Sequence, residues 1–476
     1  MLKLEAALLL LPCVTALIYQ ENEGWAYLGV AVGAYLIGKL LSFRKPDNKM
    51  LFAKEGFALV AFCWIVLSLV GALPLRICGD IPHYIDALFE TISGFTTTGA
   101  SALTEVESLS HASLLWRSFT HWVGGMGVIV LLMAILPMSG SYNLHLMRAE
   151  SPGPQVGKLV PKIRDTAKIL YIIYSGLTVL MIILLLIVGM PFFDAICDAF
   201  GAAGTGGFAI KNAGFAGYSV PIQVITTVFM ILFGVNFNAY YFLLAKRSNW
   251  KDAFKMEEVR VYFAVILIAI VSITVNIYNL CDGLGDALNK AGFQVGSIIT
   301  TTGYATADFN LWPAFSKTVL VCLMFMGACA GSTGGGIKVS RIMLMFKSAC
   351  QEVLRFVHPR AVYTVKMDGK VVDKNSLHSV NLYLLTYVGV FVLSLILITV
   401  DNFDTTTNFT AVAATLNNIG PGLNIVGPMG NYSSFSYFSK IVLMLDMLIG
   451  RLELYPMLIL LVPSTWGRNR KESKTS

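Results

Sequence analysis

Apolar positions dominate this chain in long, nearly unbroken runs, separated by short polar stretches that carry most of the charge. A membrane-crossing helix needs about 20 apolar residues. Measured against that length, the pattern predicts two leading helices, over 3–19 and 25–42, and then four pairs. The pairs are 51–74 with 112–137, 166–190 with 219–245, 258–280 with 313–350, and 378–400 with 436–462. Inside each pair lies one further apolar segment, too brief to cross. These segments, 86–99, 194–207, 290–303 and 407–420, superimpose without a gap, and each ends on a glycine: Gly99, Gly207, Gly303 or Gly420. The expected fold is therefore an all-α polytopic membrane protein. It has two leading transmembrane helices (1–46) and four helix–pore loop–helix repeats (47–142, 143–248, 249–356 and 357–476) in a pseudo-fourfold arrangement around a central pore. The last repeat ends in a short basic tail.

Composition agrees. Of 476 residues, 56% are hydrophobic and 13% charged, more apolar surface than a soluble domain can bury. The run near the N-terminus lacks a basic leader and a small-residue cleavage site, so it reads as a helix and not as a secretory signal. The eight cysteines are scattered, mostly within apolar runs, and read as small buried hydrophobes. His111 and His121 are too far apart on one helix to share a metal.

Charge predicts orientation. Arg44, Lys45, Lys49, Arg148, Lys158, Lys162, Arg164, Lys168, Lys246, Arg247, Lys251, Lys255, Arg260, Arg341, Lys347, Arg355, Arg360, Lys366, Lys370 and Lys374, with Arg468, Arg470, Lys471 and Lys474 in the tail, share one side of this topology. By the positive-inside rule that side, and both termini, are cytoplasmic. The opposite loops are rich in Asp and Glu, among them Asp86, Glu90, Asp194, Asp401 and Asp404. They form either an acidic mouth that concentrates cations or ordinary solvated loops.

The four loops read Thr97-Thr98-Gly99-Ala100, Thr205-Gly206-Gly207-Phe208, Thr301-Thr302-Gly303-Tyr304 and Asn418-Ile419-Gly420-Pro421. A cation entering hydrocarbon must exchange water for other oxygens, and irregular backbone at membrane depth is tolerated where it lines a watery cavity. Consecutive carbonyls, hydroxyls at the inner end and a Gly free to adopt positive φ supply such ligands. The expected cation ligands are Thr97, Thr98, Thr205, Gly206, Thr301, Thr302, Asn418 and Ile419. Glycines kept for helix packing explain one copy but not the shared frame.

Two intramembrane features stand apart. The run 313–350 is too long for one span, and GACAGSTGGGIK (327–338) interrupts it; Gly327, Gly331, Gly334, Gly335 and Gly336 each cost roughly 1 kcal/mol against Ala in a helix. This segment, with Ser332, Thr333 and Lys338, is expected to form a flexible plug under the filter. It lacks the spacing, the hydroxyl after Lys338 and the preceding strand of a phosphate-binding P-loop. Arg451 lies in the last apolar run, where a charge should face a pore or a partner. It either pairs with Glu453 or Asp446, or projects below the filter as an electrostatic barrier that touches carbonyls of the 327–337 loop.

These loops and spans resemble the Trk/Ktr/HKT superfamily of potassium transporters. Four phrases resemble the TrkH-type membrane subunits in particular: HWVGGMGVIVL (121–131), GACAGSTGGGIK (327–338), HPRAVYTVK (358–366) and GRLELYP (450–456). The resemblance implies potassium uptake across a bacterial cytoplasmic (inner) membrane and a gate at 327–338. It implies a homodimer and a cytosolic, nucleotide-binding RCK-type (TrkA-like) regulatory subunit. It implies no organic cofactor, no enzymatic activity and no nucleic-acid partner. In that superfamily Ser at the first filter position accompanies sodium preference, so Gly99 points to potassium. A proton- or sodium-coupled symporter is the alternative. An integral-membrane enzyme would need clustered catalytic side chains, which the sequence does not offer.

Overall fold

The computed structural model describes residues 1–43, 53–127, 163–244 and 255–466. Several sequence expectations lie outside the described residues. They are the predicted helix end at 128–137, the close of the 121–131 phrase, and the cations Arg44, Lys45, Lys49, Arg148, Lys158, Lys162, Lys246, Arg247, Lys251, Arg468, Arg470, Lys471 and Lys474.

The leading segment is two helices, α1 (Leu2–Leu8) and α2 (Leu10–Tyr19), stacked end to end and followed by α3 (Gly24–Leu41). Repeat 1 contains α4 (Ala53–Gly71), the short α5 (Leu73–Ile77), the re-entrant α6 (Tyr84–Phe95) and α7 (His111–Gly125). Repeat 2 follows as α8 (Ile163–Ile187), re-entrant α9 (Phe192–Gly204), α10 (Val220–Phe233) and α11 (Phe237–Leu244). Repeat 3 has α12 (Glu257–Ile277), re-entrant α13 (Leu284–Ile299), α14 (Ala314–Met324) and α15 (Val339–Val357). A hairpin, β1 (Lys366–Met367) paired with β2 (Lys370–Val371), leads to repeat 4: α16 (Lys374–Ile398), re-entrant α17 (Thr405–Leu416), α18 (Tyr437–Arg451) and α19 (Tyr455–Leu458).

Burial separates these helices into an outer and an inner set. Among the described residues six are long and apolar enough to cross a membrane, over 2–19, 24–41, 55–77, 166–187, 257–280 and 374–401. They turn bare apolar side chains outward, such as Ile172, Ile183, Leu267, Val275, Leu385 and Ile396, the surface expected against lipid. The four re-entrant helices are the reverse: Phe89–Phe95, Ala202–Gly204, Ala291–Ile299 and Thr410–Leu416 are buried throughout. At 12 to 16 residues they are too short to cross.

The second helix of each repeat departs from the expected single span. Only the third was expected to break, and all four do. Helix α7 ends at Gly125, with Gly127 at φ +80°. Helices α10 and α11 are bent by 94° at Gly234–Asn236. Residues 325–338 separate α14 from α15, and residues 452–454 separate α18 from α19, with Glu453 and Leu454 at φ +58° and +68°. Hydropathy does not register such breaks because the residues around them are mostly apolar or small, with Asn236, Lys338 and Glu453 as isolated exceptions. The cause is backbone chemistry: glycine lies at or beside each break, and at the first three other segments supply partners, Arg451 for the Gly124 and Gly125 carbonyls and the 327–338 segment for Phe237 and Gly234 in return.

Candidate functional site: a closed ring of four loops over a glycine-rich plug

Each re-entrant helix ends in the same motif. The amide of the first loop residue donates three residues back and that of the second five back: Thr97 to Gly94 and Thr98 to Ser93, Thr205 to Ala202 and Gly206 to Gly201, Thr301 to Ile298 and Thr302 to Ser297, Asn418 to Thr415 and Ile419 to Ala414. This is the Schellman pattern, whose turning residue is usually Gly. Here it is Thr97, Thr205, Thr301 and Asn418, at φ between +54° and +60°. A β-branched residue in that region is strained by about 1–3 kcal/mol. The sequence expectation assigned positive φ to the glycines alone. Gly99, Gly207, Gly303 and Gly420 do adopt it, at +75° to +95°, so each loop holds two left-handed residues in three.

The glycines also report how the loops meet. A Cβ on Gly99 would stand 1.9 Å from the carbonyl oxygen of Gly206, and one on Gly207 1.9 Å from that of Thr302. One on Gly303 would lie 2.1 Å from the oxygen of Ile419, and one on Gly420 2.7 Å from that of Thr98. Loop 1 thus abuts loop 2, 2 abuts 3, 3 abuts 4, and 4 returns to 1. The ring is closed, and the middle carbonyl of each loop sits against the glycine of its neighbour.

Ordinary hydrogen bonding leaves this ring unsatisfied. Thr97, Thr98, Thr205, Gly206, Thr301, Thr302, Asn418 and Ile419 are buried, and none of their eight carbonyl oxygens accepts a hydrogen bond among the described residues. Thr97 Oγ1 and Asn418 Oδ1, at the inner edge, are also buried without a partner. Such groups are rare in proteins, because an unpaired buried oxygen costs about as much as a lost hydrogen bond. Chemically, a concentrated set of them can take the place of a cation's water shell.

On the glycine side the ring opens into a cavity of about 170 Å³, bordered by Ala100, Phe208, Tyr304 and Pro421, with Arg117 and Lys211 in its wall. The expected acidic mouth is not what this cavity presents, since among the described residues no carboxylate lines it. Three of the outer acids are committed to structure. Asp194 pairs with Lys211 at 3.4 Å and Asp86 with Lys440 at 2.7 Å. Asp404 caps α17, accepting from the Thr407 amide at 3.0 Å, and the bonds from Thr407 hold its carboxyl below the usual carboxylate range.

Three residues that were not singled out as ring components hold it in register. Glu90 of α6 is fully buried, accepts from Ser101 Oγ and the Ala102 amide at 2.7 Å each, and pairs with Arg117 Nε at 3.0 Å. The Arg117 guanidinium also stacks over Phe208, 4.1 Å from the ring centre, joining loops 1 and 2. A lone cation inside a predicted span was the signal available for Arg117. Removing one partner of a buried pair costs about 3–5 kcal/mol. Arg117→Ala is therefore expected to lower the thermal unfolding midpoint of the detergent-solubilised protein far more than Lys211→Ala, whose side chain is half exposed; equal shifts would contradict the buried-pair account.

His121 is the third. Its Nδ1 is 2.8 Å from the Gly94 carbonyl and its Nε2 accepts from the Phe208 amide at 3.2 Å. A Cβ on Gly206 would collide with this imidazole at 2.2 Å, which explains why loop 2 carries Gly where loops 1 and 3 carry Thr.

Beneath the ring lies the 327–338 segment. Its base is closed by the Gly327 amide on the Ile337 carbonyl at 2.7 Å. Its tip touches the ring: the Gly335 amide donates to Thr301 Oγ1 at 2.7 Å, and a Cβ on Gly335 would meet the Asn417 carbonyl and Asn418. Gly331 and Gly336 adopt positive φ. Lys338 Nζ donates to the Gly335 carbonyl at 2.8 Å and to that of Gly334, curling the segment on itself. Ser332 Oγ donates to the Cys329 carbonyl, and Thr333 Oγ1 to that of Phe233 at the end of α10. The Phe237 amide, freed by the α10–α11 bend, donates to the Gly331 carbonyl at 3.0 Å. Arg451 donates to the Thr333 carbonyl at 2.8 Å and to those of Gly124 and Gly125 at 2.6 Å each. Of the two carboxylates considered as its partners, Glu453 pairs with Arg341 and Asp446 accepts from Ser394 Oγ.

Re-entrant helices converging on a closed carbonyl ring, inside a shell of lipid-facing spans, define a pore-loop membrane transport protein. The chain belongs to the TrkH family of cation transport proteins, whose profile matches residues 29–466. The Trk system potassium uptake protein TrkH of Salmonella typhimurium is 40% identical over 468 residues, covering 96% of this chain and 95% of that protein. Its namesake in Vibrio parahaemolyticus is 37% identical over 478 residues, covering 98% and 97%. The crystal structure of the potassium transporter TrkH from Vibrio parahaemolyticus superimposes with a TM-score of 0.88 at 34% identity, over 98% of this chain and 97% of that one.

Proposed function

We propose that this chain carries potassium across a bacterial inner membrane through the four-loop ring, with the 327–338 segment and Arg451 as its gate. The observation that carries the reading is the closed ring of eight buried, unpaired carbonyls. Thr97, Thr98, Thr205, Gly206, Thr301, Thr302, Asn418 and Ile419 supply main-chain oxygen, and the Thr97, Thr205 and Thr301 hydroxyls and the Asn418 amide face the inner edge. With four non-identical loops, each shorter than the loops of a fourfold-identical filter, the ring offers fewer equivalent sites. Discrimination among large monovalent ions should be correspondingly loose. Both termini are cytoplasmic in this reading, the unit is a homodimer, and a cytosolic RCK-type (TrkA-like) nucleotide-binding subunit controls opening. Relatives named for the Trk system support potassium as the cargo.

Purified protein in proteoliposomes should take up ⁸⁶Rb⁺ down its gradient, with external K⁺ competing more strongly than Na⁺. Absence of cation flux from correctly inserted protein, including the Arg451→Ala form argued below, would end the reading. Coupled symport is favoured by one observation, the Asp198 carboxylate of α9, which is buried with neither oxygen hydrogen-bonded. An imposed pH gradient should leave flux unchanged if the ring is a simple pore. Under symport it would drive uptake, and Asp198→Asn would abolish that drive.

A further inference from the structure

The two arms of the 327–338 segment converge on one carboxylate oxygen. Glu258, in the first turn of α12, is 3% exposed, and its Oε1 accepts from the Ala330 amide at 2.7 Å and from the Ser340 amide at 3.1 Å. Ala330 lies on the entering arm. Ser340 is the second residue of α15, the helix that leaves the segment, and the N-cap of that helix, Lys338, makes no side-chain cap bond. Glu258 therefore supplies from another helix the acceptor that an N-cap side chain normally provides, and places negative charge at the positive end of α15. The same oxygen ties the opposite arm.

Two backbone bonds also join the arms, from the Gly327 amide to the Ile337 carbonyl at 2.7 Å and from the Val339 amide to the Ala328 carbonyl at 3.3 Å. The other side-chain ties are of a different kind: Lys338 curls the tip on itself, and Arg451 and Thr301 hold the tip from outside. Only Glu258, among these side chains, spans the entering arm and the exit helix. If the tip is to leave the ring, the arms must separate, and this oxygen opposes that separation directly.

We propose that Glu258 is the clasp of the plug: a positioning residue that holds the entering arm and α15 together and so keeps the segment closed beneath the ring. The proposal rests on the gate reading above for its consequence in ion flux, but the clasp itself concerns segment geometry, and the two are separable by experiment.

Cys329, buried in the entering arm, is a native reporter. In full-length protein with the other seven cysteines replaced, the rate at which a charged methanethiosulfonate reagent modifies Cys329 measures opening. Glu258→Ala and Glu258→Asp should raise that rate by about tenfold or more, because Asp retains the charge but withdraws the oxygen by one methylene. Glu258→Gln keeps an acceptor oxygen in place and should stay within about twofold of the parent. Glu257→Ala, which removes the neighbouring partner of Lys347, should leave the rate unchanged. If the Ala form does not fold, the Asp and Gln forms decide alone. Parental labelling of the Asp form, or a Gln form as reactive as Asp, would overturn the clasp. Faster labelling without faster ⁸⁶Rb⁺ flux would uphold the clasp and count instead against the segment as the gate.

Discussion

Gly99→Ser will lower the permeability ratio of potassium to sodium by about tenfold while leaving the protein folded and inserted. The argument is steric before it is chemical. A Cβ at this position would stand 1.9 Å from the Gly206 oxygen, at a φ of +75° that side chains rarely adopt. Loop 2 must retreat, its carbonyl leaves the place set by the ring, and the serine hydroxyl intrudes. A change of about 1.4 kcal/mol in relative ion stabilisation is a tenfold change in preference, and displacing one of four ligands at a level is ample for that. The geometry also ranks the four positions. Serine at Gly207 and Gly303 meets the neighbouring carbonyl at 1.9 and 2.1 Å and should behave like Gly99→Ser, whereas Gly420 has 2.7 Å and should be mildest. Bi-ionic reversal potentials, or paired Rb⁺ and Na⁺ fluxes in proteoliposomes, give the ratios. An unaltered ratio for Gly99→Ser would mean the Gly206 carbonyl does not contact the permeating ion.

That ranking shows what was legible in the sequence. The frame of the four loops, the glycines and the plug at 327–338 could be read directly, because a repeated glycine between apolar runs is a one-dimensional signal with a backbone reason. The ties between the parts could not. Glu90 looked like a loop acid, and Arg117, 27 positions away, was passed over, yet they form one buried pair. His121 was weighed only as a metal ligand and set aside, and its role depends on Gly206, which only folding brings against it. The breaks in α7, α10–α11 and α18–α19 were invisible to hydropathy, and at the first two the partners come from other repeats, Arg451 at Gly124 and Gly125 and the Gly331 carbonyl at the Phe237 amide. Left-handed Thr97, Thr205 and Thr301 contradict local propensity outright. Such conformations persist only where the surroundings over-determine them, and here four loops constrain one another around a ring.

Arg451→Ala is expected to raise basal cation flux by about tenfold or more. The guanidinium is the one side chain bonded both to the plug, at the Thr333 carbonyl, and to the end of α7, at Gly124 and Gly125, among the described contacts of those carbonyls. It therefore does two things. On the gate reading proposed above, it places a fixed positive charge beside the ion's path below the ring, and it anchors the 327–338 segment to the end of α7. A hydrogen bond to a charged group contributes roughly 1.5–3 kcal/mol, and losing that much bias toward the closed form multiplies a small open population by about ten to a hundred. Removing the charge lowers the barrier to a cation as well, so both effects have the same sign. Arg451→Lys separates them. It keeps the charge but loses the planar fork that reaches three carbonyls at once, so flux should fall between parent and alanine. If lysine restores parental flux, charge alone closes the path. If lysine matches alanine, anchorage dominates. Unchanged or lower flux in a folded Arg451→Ala protein would remove Arg451 from the gate, leaving the plug to be held by Lys338, Glu258 and the Gly335–Thr301 bond.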